Sequence, residues 1–104
     1  MTQQRNTNGG VYSEANPLQG KQIEFPVTYT LKVVVTISKS EDYHKKELEN
    51  ILKSLEVLFR FLESKRSSKG TYISFNIKIT LSNKPQMDQL YKDLQSLQGI
   101  KFAV

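Results

Sequence analysis

Between Val27 and Ile37 apolar and polar residues alternate, with Tyr29, Leu31, Val33, Val35 and Ile37 on one face and Thr28, Thr30, Lys32, Val34 and Thr36 on the other. A period of two predicts a strand with one buried face. Its β-branched residues suit a pleated surface, and Pro26 stands at its start, where a missing amide donor is tolerated. The same alternation recurs in Ile73, Phe75, Ile77, Ile79 and Leu81 against Tyr72, Ser74, Asn76, Lys78 and Thr80. Core on one face and polar residues on the other is the mark of an antiparallel sheet covered on one side.

The intervals between these strands follow other rules. Ser40 with Glu41 and Asp42 reads as an N-cap with acids in the first turn, and Leu48, Ile51, Leu52 and Leu55 fall at i, i+3, i+4 and i+7. The pairs Glu41/Lys45, Asp42/Lys46, Lys45/Glu49 and Glu49/Lys53 lie on the polar side of this helix. Val57, Phe59 and Phe61 then alternate with Leu58, Arg60 and Leu62 as a second strand, and the polar segment 64–70 reads as a hairpin link to the third. Asn83 and Gln86 resemble a capping box around Pro85, and Met87, Leu90, Tyr91, Leu94 and Leu97 continue at helical spacing to Gly99. Ile100, Phe102 and Val104 alternate as a short fourth strand.

The order βαββαβ, with right-handed crossovers, predicts a ferredoxin-like α+β fold in which two helices pack on one face of a four-stranded antiparallel sheet. The opposite face stays open. Residues 1–22 are rich in Gln, Asn and Gly with few aliphatics, so they are expected to form a flexible tail before a domain spanning 23–104.

Composition narrows the chemistry. The absence of cysteine removes disulfides, thiolate metal sites and cysteine nucleophiles together. The N-terminal residues lack the apolar run of a signal peptide, and no stretch has the length of a membrane span, so a cytoplasmic protein without membrane contact is expected. The formal net charge of +5 is a modest excess, and acids interleave with bases on both helices.

Three segments carry a resemblance: Glu24-Phe25-Pro26 before the first strand, Ser67-Ser68-Lys69-Gly70-Thr71-Tyr72 opening the third, and Leu90-Tyr91-Lys92-Asp93-Leu94 in the last helix. Through them the chain resembles, from about Ile23 to Val104, the small bacterial proteins of the YbeD type, a family of unknown function. The resemblance implies a ferredoxin-like fold similar to regulatory ACT domains, and it brings no catalytic residues with it. Some members are described as lipoate-binding regulators. An ACT-like sensor would bind its ligand at the turn after the first strand, here Ser38-Lys39-Ser40-Glu41, which has no glycine to bring backbone amides close to a ligand.

Candidate sites are few. His44, the chain's one histidine, lies among charged residues and reads as a surface side chain; Ser40 is one turn away, but no third group completes a relay. Glu41, His44 and Glu47 step by three, yet the second helix offers only Asp88 and Asp93, so no metal site, catalytic residue or cofactor is assigned. The hairpin residues Lys65, Arg66, Ser67, Ser68, Lys69 and Gly70 form a candidate site for an anion or a partner. A second candidate surface is the open sheet face, with Leu58, Arg60, Leu62, Tyr72, Asn76 and Lys78. Lys69-Gly70-Thr71-Tyr72 shadows an RNA-binding motif, but Thr71, Ile73 and Asn76 stand where that motif stacks bases, which disfavours nucleic acid. The sequence therefore predicts a non-catalytic regulatory or protein-interaction module, with a protein partner favoured and self-association open. The alternative is an ACT-like sensor of a small anionic, lipoate-related metabolite.

Overall fold

The computed structural model describes residues 23–104; the tail expected over 1–22 lies outside the described residues. Six elements follow in the expected order: β1 (Val27–Thr36), α1 (Glu41–Ser54), β2 (Leu58–Arg66), β3 (Tyr72–Leu81), α2 (Lys84–Gln95) and β4 (Ile100–Ala103). The strands form one antiparallel sheet in the order β2-β3-β1-β4. This is the ferredoxin-like α+β fold.

The long β1–β3 pair sets the register, from Val27 opposite Leu81 to Thr36 opposite Tyr72. It aligns Leu31, Val33 and Val35 with Ile77, Phe75 and Ile73, all buried, and α1 and α2 cover them with Leu48, Leu52, Leu90 and Leu94. Each aliphatic side chain taken fully out of water contributes about 1.5–3 kcal/mol, so this single layer supplies most of the driving force.

Local chemistry fixes both helix starts. The Ser40 hydroxyl accepts the Tyr43 amide at 3.1 Å, and the Asn83 side-chain oxygen accepts the Gln86 amide at 2.9 Å. Gln86 does more than complete a cap: its Oε1 accepts the Ser82 amide, and its Nε2 donates to the Leu55 carbonyl. One side chain thus ties the start of α2 to the end of α1. The Leu55-Glu56-Val57 link carries neither glycine nor proline, and Glu56 adopts the left-handed conformation, φ 58°, that ends α1.

Two irregularities change the expected faces. Leu62 has no partner on β3, because the register shifts between Phe61, opposite Ile77, and Glu63, opposite Asn76. This bulge lets β2 run to Arg66, so the expected seven-residue link shrinks to a turn over 67–71. A second shift falls where β4 meets β1: Ile100 pairs with Val35, but Phe102 pairs with Val34 and Ala103 with Val33. Ile100 and Phe102 therefore do not share a face with Val104 as one simple alternation, and Ala103 is the β4 residue buried in the core.

On the helix side the Tyr29 and Tyr91 hydroxyls meet at 2.6 Å, joining β1 to α2. Burial pushes both phenols above the ordinary tyrosine value of 10.0; at Tyr29 the bond to Tyr91 offsets part of that rise. The unfolded chain releases these protons near pH 10, while the folded chain holds them to higher pH. The associated stability is therefore complete below pH 10 and is lost as pH rises through the folded values. We expect urea-unfolding stability to fall steeply above pH 10 and the fall to flatten in the Tyr29→Phe/Tyr91→Phe double variant. An unchanged alkaline slope would contradict this assignment.

Candidate functional site

Because the helices cover one face, the other is read directly from strand register. Successive rows run Leu58–Thr80–Thr28, then Arg60–Lys78–Thr30, then Glu63–Asn76–Lys32, then Lys65–Ser74–Val34–Phe102. Tyr72 and Thr36 follow at the hairpin end. Lys32, Arg60, Lys65 and Lys78 stand on these rows, with Lys101 over the Tyr72 ring at their end, against one carboxylate, Glu63, which accepts a hydrogen bond from Asn76 at 3.3 Å.

The charge distribution between the two sides is unequal. Together α1 and α2 carry five basic and six acidic residues, whereas the rest of the described chain carries eight basic and three acidic. The expected interleaving holds on the helices and fails on the sheet and its loops. Of the anticipated helix pairs, Glu49 and Lys53 approach to 3.9 Å; Lys45 instead lies over the Phe61 ring, 4.9 Å from its centroid. The positive excess thus belongs to the side the helices leave bare.

Part of that side is concave. A groove of about 420 Å³ is lined by Lys32 and Val34 of β1, Tyr72 and Ser74 of β3 and Phe102 of β4, and closed at the hairpin by Lys65, Arg66, Ser67 and Ser68. The groove joins part of each candidate surface: Lys65, Arg66, Ser67 and Ser68 from the hairpin and Tyr72 from the open face. Lys69 and Gly70 are not among its lining residues, nor is Asn76, although it shares a row with Lys32; Leu58, Arg60 and Lys78 lie on the rows beyond it. Leu58 remains exposed on this face, at 71%; Leu62, expected beside it, is 46% exposed but stands at the β2 bulge in a hollow shared with Glu41 and Lys45 of α1, and Val34, expected among the exposed aliphatics, is only 8% exposed beside its cross-strand neighbour Phe102.

The hairpin amides are largely occupied. Ser67 Oγ accepts the amides of Thr71 and Tyr72 at 3.1 and 3.0 Å, and the Gly70 amide donates to the Ser67 carbonyl. An anion would meet the side chains of Lys65 and Arg66 more than a cradle of backbone N–H groups. Phe102 is the residue that sequence reasoning missed. The irregular pairing of β4 hid its face, since alternation from Ile100 places it with the core.

His44 overturns the surface reading. It is 3% exposed and shares its helix face with Leu48 and Leu52. Its Nε2 accepts the backbone amides of Ser38 and Lys39, each at 3.2 Å, which leaves Nδ1 on the side of Glu47, 3.8 Å away. The i, i+4, i+8 spacing to Leu48 and Leu52 was the available signal, outweighed by the charged neighbours. The consequence reaches the β1–α1 turn, where an ACT-like sensor would hold its ligand: two of its amides are engaged by the protein's own imidazole. No group of three or more His, Asp or Glu residues suited to a metal occurs among the described residues, nor does a helix long and apolar enough to cross a membrane.

The architecture is shared with several solved structures. Protein HP0495 from Helicobacter pylori aligns with a TM-score of 0.59 at 17% identity, covering 85% of this chain and 93% of its own. The ACT domain from a Chlorobium tepidum GTP pyrophosphokinase aligns at 0.54 and 13% identity, covering 76% of this chain and 96% of that one. These likenesses establish an ACT-like ferredoxin fold. The chain belongs to the family described as "Protein of unknown function (DUF493)", whose profile matches residues 20–104. A UPF0250 protein of Shewanella piezotolerans is 33% identical over 79 residues, covering 76% of this chain and 86% of that protein. A Haemophilus influenzae UPF0250 protein is 45% identical over a shorter stretch of 42 residues, covering 40% of this chain and 46% of that protein. The YbeD-like resemblance is thereby established.

Replacing His44 tests the reassigned role. His44→Ala leaves two turn amides without their acceptor and empties a buried site, so chemical denaturation should show a loss of about 2–3 kcal/mol. A loss below about 0.5 kcal/mol would mark an ordinary surface position.

Proposed function

We propose that this protein is a non-catalytic regulatory or protein-interaction module that works through its uncovered sheet face. The observation that carries the reading is the coincidence, on that one face, of a cluster of unbalanced cations, the exposed Leu58 and the groove ending at the basic hairpin. A single exposed aliphatic is common on solvated surfaces, so the weight of the reading falls on the cations and the groove, and Leu58 adds an apolar contact to a partner that covers them. His44 supports the non-catalytic part: it is the chain's one histidine, and its Nε2 lone pair is taken up by two backbone amides. A general base needs that lone pair free.

A sensor of a small anionic metabolite is the second reading, favoured by the ACT-like fold and by Lys32 and Lys65 in the groove. It draws less support, because the β1–α1 turn has lost two amides to His44 and because the groove is open along the sheet rather than enclosed.

Affinity capture with the tagged full chain separates the outcomes. Leu58→Glu or Lys65→Glu/Arg66→Glu should abolish recovery of at least one specific partner, while a control reversal of Lys46 on α1 leaves it intact. If every partner survives both sheet-side changes, the interaction reading fails. A thermal-shift panel of amino acids, lipoate and nucleotides addresses the sensor, since a ligand that binds only the folded state must raise the midpoint.

A further inference from the structure

The groove is not uniform along its length. Its β4–β1 end is apolar, formed by Phe102 over Val34, the pair whose contact leaves Val34 only 8% exposed. Its β2 end is cationic, with Lys65 in the same cross-strand row and Arg66 at the rim where the strand ends. Lys32 stands one row away on β1. A carboxylate, Glu63, lies beside Asn76 in the row of Lys32, and it is the one acid on this part of the face.

Strand spacing gives that polarity a scale. Adjacent strands lie about 4.8 Å apart, so Val34 and Lys65, two spacings from each other in one row, are separated by roughly 10 Å. An extended polypeptide advances about 3.3 Å per residue. Side chains on one face of an extended chain recur every second residue, so a chain crossing the strands would bring an apolar residue over Val34 and Phe102 and an acidic residue to Lys65 about two or four positions away. From this we infer that the groove is a docking site for an extended acidic segment of a partner protein, with an apolar anchor about two or four residues from its carboxylates.

Three observations select this occupant. The net positive face complements an acidic segment and opposes a second copy of itself. The groove stays open across β1, β3 and β4, the shape of a bed for a peptide rather than a pocket that encloses a metabolite. Nucleic acid would need successive ring faces for stacking, yet the groove is lined by two aromatics, Tyr72 and Phe102, and Lys101 already stands over the Tyr72 ring, 5.6 Å from its centroid.

The inference rests on the sheet-face reading and refines it, and its test separates the two. ¹⁵N-labelled full chain is titrated with three probes: an octapeptide carrying Phe and, two and four positions later, Asp and Glu; the same peptide with Asn and Gln in their place; and oligouridylate of similar length. The acidic peptide should shift the amides of Lys32, Val34, Lys65, Ser74 and Phe102 at millimolar concentration. The neutral peptide should bind at least about tenfold more weakly, and Lys65→Glu or Phe102→Ala should each weaken the acidic peptide by a similar factor. Unshifted core amides certify that each variant is folded. A neutral peptide that binds equally well on the groove overturns the acidic-segment inference and spares the sheet-face reading. Shifts confined to α1 and α2, or none at all, overturn the inference and count against that reading as well. Oligouridylate that binds where the acidic peptide does not replaces the inference with nucleic-acid recognition.

Discussion

Two helices can cover only one face of a four-stranded sheet, and every other property of this protein follows from that constraint. The strictly alternating β1 and β3 satisfy it by sending Leu31, Val33, Val35, Ile73, Phe75 and Ile77 to one side, where α1 and α2 exclude water. The remaining side chains must then live on an uncovered surface, and in this chain they include most of its unbalanced positive charge. Core and candidate site are thus two consequences of one period-two pattern. A slip of one residue in the β1–β3 register would bury lysines and expose the core, so the same hydrophobic layer that stabilises the fold also fixes which cations reach the groove.

The long strands and both helices were legible in the sequence because local propensity, periodicity and capping agree there. Ser40 and Asn83 cap the helices they were expected to cap, and Tyr72 is the one aromatic that β3 presents on its open side. Legibility ended where a strand breaks its own period. The Leu62 bulge lengthens β2 into what reads as loop, and the register shift at β4 turns Phe102 toward Val34 instead of the core. Neither bulge has a glycine or proline to announce it. Pairing with a strand far away in sequence determines both, and that information is absent from any local window.

His44 shows a different limit. Its neighbours in sequence are charged, but its neighbours in space are the Ser38 and Lys39 amides at the end of β1. The imidazole accepts both amides and closes the loop from the helix side. The β1–α1 turn therefore has two fewer free donors for a ligand, whereas the groove across the sheet keeps its cations exposed to a partner. The fold alone supports many tasks, so the weight falls on that surface.

The most direct test of this account is site-specific photocrosslinking in cells that express the protein, with a benzophenone side chain placed at Phe102 on the sheet face or at Lys46 on the helix face. The account predicts a discrete adduct from position 102, lost when Lys65 and Arg66 are reversed in charge, and none from position 46. An adduct from position 46 alone would contradict it and assign the working surface to the helices.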